Sequence, residues 1–384
     1  MTECTRKRGA PCDPCIEDLA YNLSFLQSDM TDCVTNKRSL LKRPAFGCFP
    51  LPLPSCQLNL AQHDVPQQAA RSMLIEASPL VVAIQDYYNL NSTQPLSFGP
   101  ATFINGLPDL WDNPTVDLDA GAEVHVIHDA PHHPDLRVIT TVAEVFYRIV
   151  GARSSNITTD PASLRGKRIG VSLNSTSEYF AYRYLRDVAG LSPDEYTLVG
   201  GSGKDRGLCY SLPCPNGTLP DLLKRGEIDA MTAYEPTTEM AIQTLGAEEA
   251  VVFRNDSLYR EISVMYTTQS KLDDPATRAR IVQFLRVLTK VQSVFAKEPS
   301  KIWDRVSNIT ANGTTQTSPQ TLEKIWPLTR WTGGLPDDVE DLLEEEDKWA
   351  ARDKTLGRGP MTRERIESHV YRGVLAEAAA LGPL

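Results

Sequence analysis

Residues 164–185 read LRGKRIGVSLNSTSEYFAYRYL, and residues 219–236 read LPDLLKRGEIDAMTAYEP. The first stretch predicts a short apolar strand, a polar turn and then a helix, which Gly190 ends. A strand that leads into a helix through Asn174–Ser177 presents free backbone N–H groups and hydroxyl donors at one point. This arrangement predicts a cradle for an anion or a polar group, and the alternative is that these residues only cap the helix.

The second stretch, with Gly226, Asp229, Glu235 and Pro236, resembles a signature of type II periplasmic-type solute-binding proteins. The resemblance is to the group that unites sulfonate-, nitrate- and taurine-binding proteins with thiamine-pyrimidine synthase-like proteins. It covers roughly residues 57–384 and is strongest from residue 135 to residue 296. It implies an α/β fold with two lobes and a ligand cleft between them, and it says little about the ligand.

The chain divides into three expected parts. Residues 1–56 are rich in cysteine, proline and basic residues and predict an extension that is poorly ordered or tethered by disulfides. Alternating strands and helices over 156–255 predict a second lobe with a mainly parallel sheet. This lobe is inserted into a first lobe made of 57–155 and 256–384, which carries the C-terminal helices.

Further structural expectations follow from periodicity. A helix over 69–84 should be broken near Ser78-Pro79, and the apolar face of a helix over 275–296 should pack on the first lobe. Two crossings between the lobes, near 151–156 and 255–262, should form a hinge. The acidic run over 337–347 predicts a solvated helix face rather than a metal site.

The composition excludes several classes of protein. With 384 residues, 41% hydrophobic and 23% charged, the chain can form two lobes with real cores and is not disordered throughout. The net charge of −10, with scattered lysines and arginines, argues against a nucleic-acid partner. No apolar run reaches the roughly 18–20 residues that a membrane span needs. We expect a monomer whose partner is a small-molecule ligand.

The sequons and the N-terminal sequence give different indications of the cellular location of the protein. No signal peptide is visible after the basic first residues, yet Asn-X-Ser/Thr sequons are frequent. Their density is typical of a secreted, fungal-like glycoprotein, and a cytoplasmic location stays the alternative. The sequons start at Asn22, Asn91, Asn156, Asn174, Asn216, Asn255, Asn308 and Asn312.

Cysteines and histidines raise the question of disulfides and metals. An even count of eight cysteines in a secreted chain favours disulfides, and Cys209 and Cys214 flank a loop that they could staple. The lone pair Cys12 and Cys15 is weak evidence for zinc. A histidine cluster is interpreted as a surface turn, so we expect no metal and no cofactor; it consists of His125, His128, His132 and His133.

Predicted strand ends supply the candidate ligand site, because open α/β sheets bind ligands at the carboxyl ends of their strands. Carboxylates beside hydroxyl donors suit a ligand with a cationic or hydrogen-donating part and an acceptor or anionic part. Asp119 and Glu235 could instead cap helices or pair with arginine. The candidate residues are His63, Asp119, Glu123, Asn174, Ser175, Thr176, Ser177, Tyr234 and Glu235.

The enzymatic branch of the family is a poorer match. The resemblance implies clustered cysteines, a pyridoxal-phosphate lysine and a histidine in that branch, but here no lysine lies near His63. Neither a G-x-S-x-G motif nor a P-loop is present. We therefore expect no catalytic residue and a protein that binds a sulfonate, an amino-acid-like or a thiamine-pyrimidine-like molecule without turnover. The alternatives are an enzyme on this fold in thiamine-precursor or secondary-metabolite biosynthesis, and an interaction protein with a filled cleft.

Overall fold

The structure, a computed structural model, describes residues 75–93, 110–111, 116–202, 207–310, 317–352 and 358–382, with the backbone alone over 87–93. These residues form two β-sheets surrounded by helices. The predicted α/β fold class is therefore confirmed. The predicted extension 1–56, the first strand near Leu58 and the candidate residue His63 lie outside the described residues.

The secondary structure elements follow one another in mixed order. The strands are β1 Asp119–Ala122, β2 Leu136–Val145, β3 Arg148–Ala152, β4 Arg168–Val171, β5 Thr197–Gly200, β6 Ala230–Met231, β7 Ala250–Arg254, β8 Glu261–Thr268 and β9 Thr329–Arg330. The helices are Ser78–Thr93, Val124–Asp129, Thr176–Asp187, Leu219–Lys224, Thr237–Leu245, Gln269–Asp273, Pro275–Lys297, Trp303–Ile309, Pro319–Ile325, Val339–Ala350, Arg363–Ser368 and Gly373–Ala380.

The first sheet has the strand order β1–β8–β2–β9, and all of its pairings are antiparallel. The helix Pro275–Lys297 covers this sheet with the apolar face that its sequence predicted. The residues of that face are all buried; they are Ile281, Phe284, Leu285, Leu288, Val291 and Phe295. Burying a large apolar side chain contributes about 1.5–3 kcal/mol, so this one face is a major source of stability.

The second sheet has the strand order β5–β4–β6–β3–β7. Strand β4 runs parallel to β5 and β6, whereas β3 runs antiparallel to β6 and β7. Two of the four pairings are therefore parallel and two are antiparallel, so the sheet is mixed, and the predicted parallel arrangement holds for β4, β5 and β6. One glycine is closely packed: a Cβ on Gly170 of β4 would lie 2.5 Å from Ile228 Cδ1 and 2.9 Å from Leu219 Cδ2, so these side chains would have to move.

The chain crosses between the sheets at two places. One crossing follows β7 and returns through β8, within the predicted range 255–262. The other lies at Phe146 and Tyr147, between β2 and β3, and not at 151–156. The sequence places β3 with the first lobe because it follows β2 closely, but its partners are β6 and β7 of the second sheet. The remaining lobe boundaries stay a prediction.

An α-helix begins at Ser78, at the predicted break, after a short 3-10 helix over Ile75–Ala77. Pro79 lies in the first turn of the helix Ser78–Thr93, where proline removes no hydrogen bond. Residues 69–74 of the predicted helix lie outside the described residues. The helix Val339–Ala350, here called the acidic helix, exposes Asp341 and Glu345 to solvent as predicted, but not all of its acids lie on that face. Glu346 and Asp347 are both fully buried in it.

Cys209 and Cys214 form a disulfide, as their spacing suggested. We expect the double substitution of both cysteines by serine to lower the free energy of unfolding by about 2 kcal/mol, because the bridge closes a short loop in the unfolded chain. Urea unfolding of the variant and of the oxidised wild type would measure this difference. Equal unfolding midpoints would contradict the expectation, and the reduced wild type provides the control.

Candidate functional site

Two of the predicted strand ends meet. Thr176 follows β4, Tyr234 follows β6, and the two strands are parallel neighbours in the second sheet. Thr176 Oγ1 consequently lies 3.1 Å from Tyr234 Oη. The rule that neighbouring parallel strands bring their carboxyl ends together therefore places these two candidate residues side by side.

The other residues of the turn have local roles. Ser175 caps the helix Thr176–Asp187, because its Oγ accepts the N–H of Ser177 at 3.3 Å. Its hydroxyl donates to Ser172 O at 2.5 Å, and Ser177 Oγ accepts the N–H of Ser172 at 3.3 Å. Asn174 is exposed, and its N–H donates to Glu178 Oε2 at 2.6 Å. Capping, the alternative interpretation, therefore describes Ser175, and Thr176 reaches the side chains of other elements.

Glu235 is buried and has an arginine partner. Arg148 of β3 donates to Glu235 Oε1 through Nε at 3.0 Å and through Nη2 at 2.7 Å. The second oxygen of Glu235 accepts the N–H of Glu239 at 3.1 Å, at the start of the helix Thr237–Leu245. Burial nevertheless raises the pKa of Glu235, against the lowering effect of Arg148. Both alternatives considered for Glu235, an arginine pair and a helix cap, hold in the structure.

The carboxylates near β1 are also buried. Asp119 lies at the start of β1, where its Oδ1 accepts the N–H of Ala120 at 2.6 Å. Glu123 follows β1, and its Oε1 accepts the hydroxyl of Tyr259 at 2.6 Å. Its Oε2 accepts the N–H of Ile262 at 3.1 Å. Glu123 thus ties β1 to the crossing that leads into β8.

Glu261, which the sequence did not single out, links the two sheets. It opens β8 of the first sheet, and its Oε2 accepts the hydroxyl of Thr176 at 2.6 Å. Tyr147, in the crossing between β2 and β3, also donates to this oxygen, and its Oη lies 2.8 Å from Thr176 Oγ1. A signal was present: Glu261 is the single charged residue in the segment EISVMYTT, at the point where the chain returns between the lobes.

Aromatic rings surround this contact. The ring centroid of Tyr147 lies 5.9 Å from that of Tyr234 and 6.1 Å from that of Tyr259. Tyr179 of the helix Thr176–Asp187 extends the group, with its ring 5.0 Å from that of Tyr259 and 5.1 Å from that of Trp349. Faces of such rings attract cations, and their hydroxyls exchange hydrogen bonds with polar groups.

Four buried glutamates interact electrostatically with one another and are called the carboxylate cluster: Glu76, Glu123, Glu261 and Glu346. Burial raises the pKa of Glu346, and repulsion by Glu261 raises it further. Burial and then Glu261 raise the pKa of Glu76, whereas burial and then Glu346 raise that of Glu123. Burial also raises the pKa of Glu261, although hydrogen bonds from Thr176 and Tyr147 oppose the shift. Each carboxyl therefore resists ionisation more than it would in water.

The arrangement determines which chemistry this region can perform. A protonated carboxyl can both donate and accept hydrogen bonds, and an ionised one attracts a cation. The buried carboxyls of this region can therefore exchange hydrogen bonds with a polar group when protonated and interact with a cation when ionised.

The histidine cluster lies elsewhere, around the helix Val124–Asp129. The ring of His133 stacks on Trp111 with centroids 3.6 Å apart, and burial lowers the pKa of His128. Within the described part of the chain, no group of three or more histidine, cysteine, aspartate or glutamate side chains has a geometry that could hold a metal ion. Likewise, no helix in that part is long and apolar enough to span a membrane.

Comparison with known proteins confirms the fold. No protein-family model and no curated protein sequence matches the chain. The chain is similar to the periplasmic aliphatic sulphonate binding protein SsuA from Escherichia coli, at 15% identity over 77% of this chain and 90% of that chain, with a TM-score of 0.59. At these identities the likeness establishes a type II solute-binding fold and nothing about the ligand.

Two further solved structures give the same result. The ligand-binding component of an ABC-type import system from Staphylococcus aureus, solved with zinc bound, has a TM-score of 0.55 and 13% identity, over 80% of this chain and 96% of that chain. A protein from Bordetella bronchiseptica RB50 has a TM-score of 0.54 and 16% identity, over 80% of this chain and 94% of that chain. The predicted resemblance to type II solute-binding proteins is therefore confirmed at the level of the fold.

Proposed function

We propose that this protein binds a small polar organic molecule between its two sheets, next to Thr176 and Glu261, and releases it chemically unchanged. The observation that carries the proposal is the contact of Thr176 Oγ1 with Glu261 Oε2 at 2.6 Å, which joins the carboxyl end of β4 to the start of β8. A ligand that bridges the sheets must compete for these polar groups. Such exchange of contacts is how a two-lobe protein couples binding to closure.

The position of the contact supports this proposal. Ligands of open α/β sheets lie at the carboxyl ends of the strands, which is where Thr176 and Tyr234 are found. Tyr147 and Tyr259 lie in the two crossings, so a change of the angle between the sheets would move them. The segments that bend on closure would then carry polar groups that contact the ligand.

The proposal extends to location and oligomeric state. The sequon asparagines Asn156, Asn216 and Asn308 are exposed, which is compatible with glycosylation. A secreted monomer is the form of the protein that we propose, and a cytoplasmic location is its alternative.

Substitution of Thr176 by valine tests the binding site. Valine keeps the shape of threonine but removes the hydroxyl near Glu261, so affinity should fall about tenfold or more, equivalent to about 1.4 kcal/mol. Isothermal titration would use ethanesulfonate, L-serine and 4-amino-5-hydroxymethyl-2-methylpyrimidine as representatives of the three ligand classes. We expect at least one of these probes to bind the wild type.

The matched control is Thr197→Val, because Thr197 is exposed at the opposite, amino-terminal end of the same sheet. Binding should be the same in that variant as in the wild type. Equal loss in both variants, or no binding together with no small molecule released on denaturation, would contradict the proposal. Chemical alteration of a bound probe, detected by mass spectrometry, would favour the enzymatic alternative.

A further inference from the structure

The buried acids of this protein fall into two groups. Most have an arginine: Asp117 pairs with Arg280 at 2.9 Å, and Asp347 pairs with Arg358 at 2.6 Å. The four members of the carboxylate cluster differ, since none of them forms an ion pair with a lysine or arginine of the described residues. The fold thus supplies positive charge to the neighbours of the cluster and not to the cluster itself.

Glu346 is the extreme member of this cluster. It is fully buried, and neither carboxylate oxygen has a hydrogen-bond partner among the described residues. A buried carboxylate without partners is costly, because ionisation there gives up the hydration that water provides. Glu346 is held in place by its neighbours on the acidic helix, Val339, Leu343 and Ala350, which are buried on the same face.

Acids on three different segments interact with Glu346. Glu123 precedes the helix Val124–Asp129, Glu261 opens β8, and Asp347 is adjacent on the acidic helix. Burial, and then these acids, raise the pKa values of the surrounding tyrosines, which are Tyr147, Tyr179, Tyr234, Tyr259 and Tyr266. Arg358 is the nearby base, and it is already engaged by Asp347.

We infer that the molecule bound at this site is an organic cation, held by Glu261 and Glu346 and enclosed by the rings of Tyr147, Tyr179 and Tyr259. This inference rests on the proposed function and specifies its ligand class. An ammonium group would neutralise the cluster, and the tyrosine faces suit it better than a bare metal ion. The described residues also lack the three convergent ligands that a metal ion needs.

The test compares a cation with an anion that carries the same 2-hydroxyethyl group. Thermal unfolding of the full chain at pH 8 would be followed in 10 mM ethanolamine, choline, sodium isethionate or sodium chloride, at equal ionic strength. We expect ethanolamine or choline to raise the melting temperature, and isethionate to have no effect beyond that of sodium chloride. Glu346→Gln should weaken the apparent affinity for the cation about tenfold or more.

Glu345→Gln is the matched control, since Glu345 is the exposed neighbour of Glu346 and pairs with Arg183. It should leave the response to cations unchanged. If Glu346→Gln does not fold, Glu123→Gln replaces it, because Glu123 faces the same cluster.

Three results would overturn the inference. Stabilisation by isethionate alone would leave the proposed function intact and reverse the ligand charge. Stabilisation by neither class would contradict a site for organic cations of this size. An unchanged cation response in Glu346→Gln would remove this residue from the site. The proposed function itself fails separately, when denatured protein also releases no small molecule.

Discussion

Glu346→Gln should make the free energy of unfolding of the ligand-free protein fall less, or rise more, than that of the wild type as the pH increases above the ordinary glutamate pKa. The folded protein raises the pKa of Glu346 through burial and through repulsion by Glu261. Between the ordinary glutamate pKa and the raised one, the folded state binds a proton that the unfolded state has lost. The stability from that proton is complete at low pH and is lost as the pH rises.

The expected change in the slope of the free energy of unfolding against pH is that of one proton. Each retained proton changes the free energy of unfolding by about 1.4 kcal/mol per pH unit within this window. Glu346→Gln should therefore reduce the slope by up to that amount, whereas Glu123 and Glu76 maintain the rest. Urea unfolding at pH 5, 6, 7 and 8 measures the slope.

A comparison with Glu345→Gln isolates the effect of burial, because that side chain is exposed and lies next to Glu346 on the same helix. The free energy of unfolding of Glu345→Gln, plotted against pH, should run parallel to that of the wild type. A Glu346→Gln curve parallel to the wild type would show that Glu346 is not protonated in the folded protein at these pH values.

The sequence predicts features that depend on neighbouring residues. The strand Arg168–Val171, the turn after it and the helix Thr176–Asp187 follow from apolar spacing and from a serine cap, both local properties. The meeting of Thr176 with Tyr234 is also predictable, since it needs only the rule that parallel neighbours end at the same edge.

Contacts between distant segments were not predictable in the same way. Thr176 and Glu261 are 85 residues apart, and Arg148 and Glu235 are 87 apart. Composition cannot show which arginine reaches which acid, so the pairing of Glu235 stayed one of two alternatives. The orientation of the two sheets decides the contact of Thr176 with Glu261, and the pairing of β3 with β6 decides that of Arg148 with Glu235. Nothing in the local pattern determines either arrangement.

In the acidic helix, the local sequence pattern did not predict which acids are buried. Its run of acids suggested a solvated face, but Glu346 lies three residues after Leu343 and four before Ala350. That spacing places it on the buried face with Val339. An acid at an apolar position of a helix was therefore the available signal, and the high charge of the surrounding residues concealed it.

Arg148→Met should be among the most destabilising substitutions in the described chain, with a loss of about 3–5 kcal/mol in the free energy of unfolding. Arg148 is the partner of Glu235 at 2.7 Å and of Glu239 at 3.2 Å, and all three side chains are largely buried. Methionine fills a similar volume but leaves two neighbouring carboxylates without this cation. Chemical unfolding at pH 7 would measure the loss.

A natural control lies directly opposite in the sheet. Arg254 of β7 is the register partner of Arg148, and it pairs with Asp256 at a more exposed position. Exposed pairs contribute little, so Arg254→Met should change stability by less than about 1 kcal/mol. The double variant Arg148→Met with Glu235→Gln should recover part of the loss, because it no longer buries the charge of Glu235. Equal losses in the two arginine variants would show that the burial of the Arg148 pair has no energetic consequence. If, in addition, the double variant keeps its affinity for a bound probe, Glu235 acts in the fold, through Arg148, and does not contact the ligand.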